Sequence, residues 1–219
     1  MSSLTLKLIA VISMLIDHMG AVLFPQYQWM RCIGRLAFPI YCFLLTQGYL
    51  HTHDFKKYIM RMTVFALLSE IPFDLAFSHT WLNVRYQNVY WTLLLGLIAI
   101  KAMEWLQVRL EPTWYVLSYV PVLLAAVTAG LIHTDYRAYG ILIIFGFWIF
   151  KKQKAALVVY ETLIFACMSR IELFAVFAFI PIFLYNNQKG FSNRWIRMGF
   201  YAFYPVHLIA LVLIRSLCG

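Results

Sequence analysis

An aspartate and a histidine interrupt the first apolar run of this chain, at Asp17 and His18. An imidazole changes charge near neutral pH and can take a proton from an attacking amine or hydroxyl as a general base. Lys7 lies eleven residues earlier. At about 100° per residue that separation returns to nearly the same helix face, roughly 16 Å along the axis. One face therefore carries a cation near one end and an imidazole deeper in. Asp17 points about 100° away from it, toward a neighbouring helix rather than its own histidine. The bland alternative is a histidine that only hydrogen-bonds between helices.

Further polar residues stand at helical spacings. Arg31 and Arg35 are at i, i+4, a geometry that suits clamping a phosphate or carboxylate. They are equally suited to pair with Asp17 or Glu70 as structural glue. Glu70 and Asp74 repeat the i, i+4 spacing around Pro72, which removes a backbone donor and bends the helix. Two acids beside a kink suggest a lined cavity or a pair facing the arginines. Asn88 opens an apolar run as a helix cap or a site residue. The segment Asp135-Tyr136-Arg137-Ala138-Tyr139-Gly140 reads as a loop over a site or a plain turn. Arg170 and Glu172 read as a solvated pair or as site residues. Tyr204 and His207 share a face beside Pro205, where packing competes with a catalytic role.

The elements that must position these groups lie in lipid. The chain is 63% hydrophobic and 12% charged, against about 45–50% and about 25% in soluble domains. A soluble core of this size cannot hide so much apolar surface. About 20 apolar residues cross a bilayer. By that ruler we read an all-α, polytopic transmembrane bundle of about nine spans, with eight or ten as alternatives. The spans run over 4–24, 35–50, 58–77, 89–107, 114–132, 139–150, 155–169, 171–185 and 198–217, in one domain covering 1–219. The first run is too long, and too polar at Asp17-His18, for a cleaved signal. Trp29, Trp81, Trp91, Trp114, Tyr185 and Trp195 lie near the ends of these runs, where amphipathic rings meet headgroups.

The net charge of +9 fits basic loops that fix topology and touch anionic lipid, and no aromatic-basic motif points to nucleic acid. Lys56, Lys57, Lys151, Lys152, Lys154 and Lys189 gather in loops on one side, with Arg194 and Arg197. The positive-inside rule makes that side cytoplasmic, together with the N-terminus. The opposite side holds the polar residues that topology does not require, and the site is expected there. Cys32, Cys42, Cys167 and Cys218 are scattered, with no ligand-like spacing, and read as free core thiols with no metal.

The segments Ile16–Gly20, Arg31–Tyr41, Leu68–Asp74, Asn88–Gly96, Asp135–Gly140 and Phe200–His207 together resemble the TraX family, membrane proteins named for N-terminal acetylation of conjugative pilin. They extend over nearly the whole chain. The family resembles in turn the multi-span acyltransferases that use acyl-CoA. These often carry an arginine, ten residues and a histidine in the first helix; Lys7 stands in that arginine position before His18. The resemblance implies acetyl transfer from cytoplasmic acetyl-CoA to an amine or hydroxyl acceptor at the outer face of a bacterial inner membrane. The acceptor would be an exported peptide, a glycan or a lipid. On that reading His18 is the base and Asp17 its support, directly or through a neighbour. Lys7, Arg31, Arg35, Glu70, Asp74, Asn88, Arg137, Arg170, Tyr204 and His207 would serve donor and acceptor. The rival readings are a small-anion transporter or flippase and a non-catalytic envelope scaffold.

Overall fold

The structure, a computed structural model, describes residues 1–191 and 193–218, the side chain of Cys218 excepted, so the free thiol expected there lies outside the described residues. The helices are α1 (Ser3–Val22), α2 (Gln28–Gly34), α3 (Ala37–His51), α4 (Phe55–Phe77), α5 (Val89–Gln107), α6 (Val120–Leu131), α7 (Arg137–Ile149), α8 (Lys154–Met168), α9 (Phe179–Phe183) and α10 (Arg194–Cys218). Tighter 3-10 stretches, Pro112–Tyr119 and Arg170–Ala178, lead into α6 and α9. Among the described residues there is no strand, and one isolated bridge joins Gln87 to Thr134.

Local chemistry sets several boundaries. The Ser2 hydroxyl accepts from the Thr5 amide, the Asp54 carboxylate from Lys57 and the Asn88 side chain from Tyr90, each satisfying a helix-start N–H that has no partner within the helix. The Lys57 amide and ammonium hold the exposed Asp54 carboxyl below its ordinary range. Pro205 has no N–H to give to the Tyr201 carbonyl one turn back. The Tyr90 hydroxyl donates to that carbonyl instead, at 3.0 Å.

The expectation of about nine spans is not supported. Among the described residues four helical stretches are long and apolar enough to cross a membrane: Ser3–Val22, Val89–Gln107, Pro112–Leu131 and Arg194–Leu217. Helices α3 and α8 have 15 residues and α7 has 13, so each rises only about 20–23 Å against a hydrocarbon core of about 30 Å. Helix α4 is long, yet it carries Lys56, Lys57, Arg61, Glu70 and Asp74. The run expected at 171–185 breaks into a 3-10 stretch and a five-residue helix.

Helix α1 packs against α2, α3, α4 and α10. It runs parallel to α10, since Lys7 lies over Phe200 and His18 meets His207 further along. Helix α4 points the same way: Arg215 near the end of α10 donates to the carbonyls of Leu75 and Ala76 at the end of α4. The expected basic side is one end of the bundle, where Lys7, His51, Lys189 and Arg197 come together. The other end is tied by the bond of Tyr86 to Asp135, which joins the loops before α5 and α7.

Candidate functional site

Two cavities open into the bundle. The basic cavity, about 330 Å³, has Lys7, Arg61, Lys189, Arg197 and His51 around it and Tyr41, Tyr58, Tyr90, Phe200 and Tyr201 in its walls; no carboxylate among the described residues lines it. The histidine cavity, about 140 Å³, lies toward the opposite end and is lined by His18, Asp17, Arg31, Arg35, Asp135, Tyr86, Tyr136 and Tyr204, with Phe38, Phe73 and Phe77. Among the described residues Tyr41 alone lines both. The cations and the apolar walls of the first suit an extended anionic ligand. The second suits proton transfer out of bulk water.

His18 projects from α1 toward α10. Its Nδ1 lies 2.6 Å from Nε2 of His207, and the rings meet edge to edge and nearly coplanar, with centroids 4.9 Å apart and an interplanar angle of 4°. His207 Nδ1 lies 2.7 Å from the Phe203 carbonyl oxygen. A carbonyl only accepts, so His207 Nδ1 carries the proton that faces it. In the neutral ring Nε2 is then an acceptor, and His18 Nδ1 must donate to it. The network thus assigns both tautomers: His18 keeps the lone pair of Nε2 for chemistry. Phe77 and Tyr204 pack edge-on against the His18 ring, with centroids 5.3 and 5.9 Å away.

The Asp17 carboxylate makes no hydrogen bond to His18 among the described residues. Adjacent helix positions diverge by about 100°, and the Asp17 carboxylate faces α2. Its two oxygens accept from Arg31 and Arg35, each at 2.6 Å, and Arg35 reaches on to Glu172 at 2.6 Å. This network of two cations and two anions is self-neutralising. Its close approach requires Gly34, where a Cβ would sit 2.0 Å from Asp17 Oδ1. Arg31 keeps a third of its side chain exposed, while Arg35 is nearly covered.

The remaining residues divide. Glu70 turns away from the arginines and accepts from Trp91 Nε1 at 2.5 Å. Asp74 accepts from the Asn83 amide at 2.7 Å, and its second oxygen is buried without a partner among the described residues. Asn88 caps α5 and donates to the Ala66 carbonyl at 2.8 Å. None of these three lines either cavity. Arg137 and Arg170 are exposed. Glu172, expected with Arg170, pairs with Arg35 because the 3-10 stretch packs it against α2 and α3. Lys7 lies in the basic cavity, over the Phe200 ring at 5.6 Å. Tyr204 and His207 join His18.

Of the segment 135–140, two residues reach the histidine cavity, and the rest opens α7. Asp135 and Tyr136 line the histidine cavity, with Tyr136 stacked on Phe38 at 3.5 Å and Tyr86 donating to Asp135 at 2.5 Å. Burial pushes the Asp135 carboxyl up from its ordinary range, and the Tyr86 hydroxyl and Arg35 partly counter that. Several residues escaped the sequence reading as individuals, among them His51 and Arg61 in the basic cavity and Tyr86 in the histidine cavity. Tyr41 sat unremarked in the Arg31–Tyr41 segment. Glu161 is fully buried on α8 beside Gly146, with neither oxygen bonded among the described residues; its signal was a lone acid in the apolar run 155–169.

Comparison with known proteins bears on the whole chain. A probable fimbrial assembly protein (FimC, serogroup H1) of Dichelobacter nodosus is 30% identical over 244 aligned residues, covering 96% of this chain and 94% of that protein. A protein of Rickettsia prowazekii (strain Madrid E), described as uncharacterized, is 37% identical over 73 residues, covering 33% of this chain and 27% of its own. No solved structure matches. The family model described as TraX protein matches residues 2–215, and the chain belongs to the TraX family.

Proposed function

We propose that this protein is a membrane-embedded acetyltransferase that moves an acetyl group from acetyl-CoA to an amine or hydroxyl on the far side of a bacterial inner membrane. The observation that carries the reading is a pair of cavities that share Tyr41 in their walls, one ringed by cations and one lined by His18, whose ring is held from behind by His207. The basic end faces the cytoplasm, as its lysines favour. CoA phosphates rest on Lys7, Arg61, Lys189 and Arg197, and the pantetheine arm extends along the tyrosine-walled cavity toward His18. The acceptor enters the histidine cavity from outside, where Arg31 is the more exposed of the two arginines. His18 Nε2 removes the acceptor's proton as its nitrogen or oxygen bonds to the thioester carbon. Collapse of the tetrahedral intermediate breaks the C–S bond. His18 returns the proton to the departing thiolate, leaving free CoA and the acetylated acceptor. His207 is a positioning residue that holds His18 in the required tautomer.

The Dichelobacter relative's description as a fimbrial assembly protein favours an exported fimbrial subunit over an envelope glycan or lipid as acceptor. The test has two parts. Calorimetric titration of purified, folded protein with acetyl-CoA is expected to show binding. Mass spectrometry of exported peptides, glycans and lipids, with and without the gene, is expected to show loss of one acetyl mass. Absence of binding at millimolar acetyl-CoA would favour the anion transporter.

A further inference from the structure

Helix α3 walks from one cavity to the other. Ala37 and Phe38 line the histidine cavity, and Leu44, Gly48 and His51 line the basic cavity. Tyr41 stands between them and belongs to both. Four tyrosines of the bundle spend their hydroxyls on the protein: Tyr90 on the Tyr201 carbonyl, Tyr86 on Asp135, Tyr49 on Glu104 and Tyr160 on the Leu142 carbonyl. Tyr58 in the basic cavity and Tyr136 and Tyr204 in the histidine cavity show no such bond among the described residues, but they line one cavity each. The Tyr41 hydroxyl has no protein hydrogen-bond partner among the described residues, and it is not among the sealed, unsatisfied groups. Buried polar groups are almost always paired. A phenol O–H on a residue that lines both cavities is therefore placed to donate to something that arrives there.

We infer that the Tyr41 hydroxyl donates a hydrogen bond to the carbonyl oxygen of the donor thioester and stabilises the oxyanion of the tetrahedral intermediate. The inference rests on the acetyl-transfer reading. On that reading a group reaching from the basic cavity toward His18 comes beside Tyr41, the one described residue that lines both. As the acceptor adds to the carbonyl carbon, the C=O electron pair moves onto oxygen, and the phenol holds that charge without giving up its proton. The pair returns as the C–S bond breaks. A donor fixed before the charge develops reorganises little, and losing one such donor typically costs about 10²–10³ in kcat.

The test is isotope-edited infrared spectroscopy of protein with bound acetyl-CoA carrying ¹³C at the thioester carbonyl. The wild type is expected to show the carbonyl band at lower frequency than Tyr41→Phe, which keeps the ring and its packing. Thiol release from acetyl-CoA with hydroxylamine as acceptor should fall about 10²–10³-fold in kcat for Tyr41→Phe, with the KM for acetyl-CoA little changed. An unshifted band, or undiminished kcat, overturns the role of Tyr41 and leaves the acetyl-transfer reading standing. A shift lost in Tyr204→Phe instead moves the donor to α10 and overturns it as well. Wild-type protein that binds no acetyl-CoA removes the reading itself, and this inference with it.

Discussion

His18 and His207 meet ring to ring across α1 and α10, with Nδ1 2.6 Å from Nε2, and the Phe203 carbonyl beyond them sets which nitrogen is free. A bond between two imidazoles needs one donor and one acceptor. A proton added to His18 Nε2 removes the base, and one added to His207 Nε2 removes the acceptor. Acetyl transfer is therefore expected to fall on the acid side. A general base contributes about 10²–10⁴-fold, so His18→Ala should lose that much turnover while still binding CoA. His207→Ala should lose less and move the acid limb of the pH–rate profile. If His18→Ala keeps near-native turnover while His207→Ala abolishes it, the roles are reversed.

The Asp17 network predicts a coupled stability effect. Removing one member strands a buried charge, at a cost of about 3–5 kcal/mol. Asp17→Asn is expected to destabilise strongly in thermal unfolding in detergent. Combining it with Arg31→Gln, which leaves Arg35 facing Glu172, should cost less than the sum of the single changes. Strict additivity would mean that the ions do not act together.

Glycine substitutions should separate by position. Gly34→Ala places a Cβ 2.0 Å from Asp17 Oδ1, whereas a Cβ at Gly130 meets nothing within 4 Å. Gly34→Ala is expected to lower the unfolding temperature and perturb the arginine network. Gly130→Ala should be neutral or stabilising by up to about 1 kcal/mol, from helix propensity alone. Equal effects would show that α1 and α2 do not approach as closely as this.

Asp135 offers a pH test of stability. Its carboxyl is raised in the folded protein by burial, so the native state holds this proton more tightly than the unfolded chain. Its contribution is fully present below the unfolded value of about 3.9 and is lost as pH rises through the folded value. Asp135→Asn, which keeps an acceptor for Tyr86, should flatten this part of the curve of unfolding temperature against pH. An unchanged curve would assign the dependence to other groups.

Topology is open to labelling. A cysteine at position 57 is expected to react with an impermeant reagent only from the cytoplasmic side, and one at position 81 only from outside. The reverse pattern would turn the basic cavity outward and remove cytoplasmic acetyl-CoA as its ligand.

Much of the helical architecture was legible because hydrophobic runs and caps are local. The runs at 58–77, 89–107 and 139–150 match α4, α5 and α7 to within three residues at each end, and of the two readings of Asn88, cap or site residue, the cap is formed. The span count was not legible. Hydropathy sees an apolar run, but not the 3-10 turns at Arg170–Ala178 that shorten it. Periodicity put Lys7 and His18 on one face and turned Asp17 away from it, and composition marked the polar end. Partners across helices were beyond reach. Glu172 pairs with Arg35 across 137 residues, and His18 with His207 across 189. Such pairings depend on how α1, α2, α10 and the 3-10 stretch pack, which one-dimensional spacing does not encode. The same holds for Tyr41, one tyrosine among 14 in the sequence, whose place in the walls of two cavities exists only once α3 is set against α1, α5 and α7.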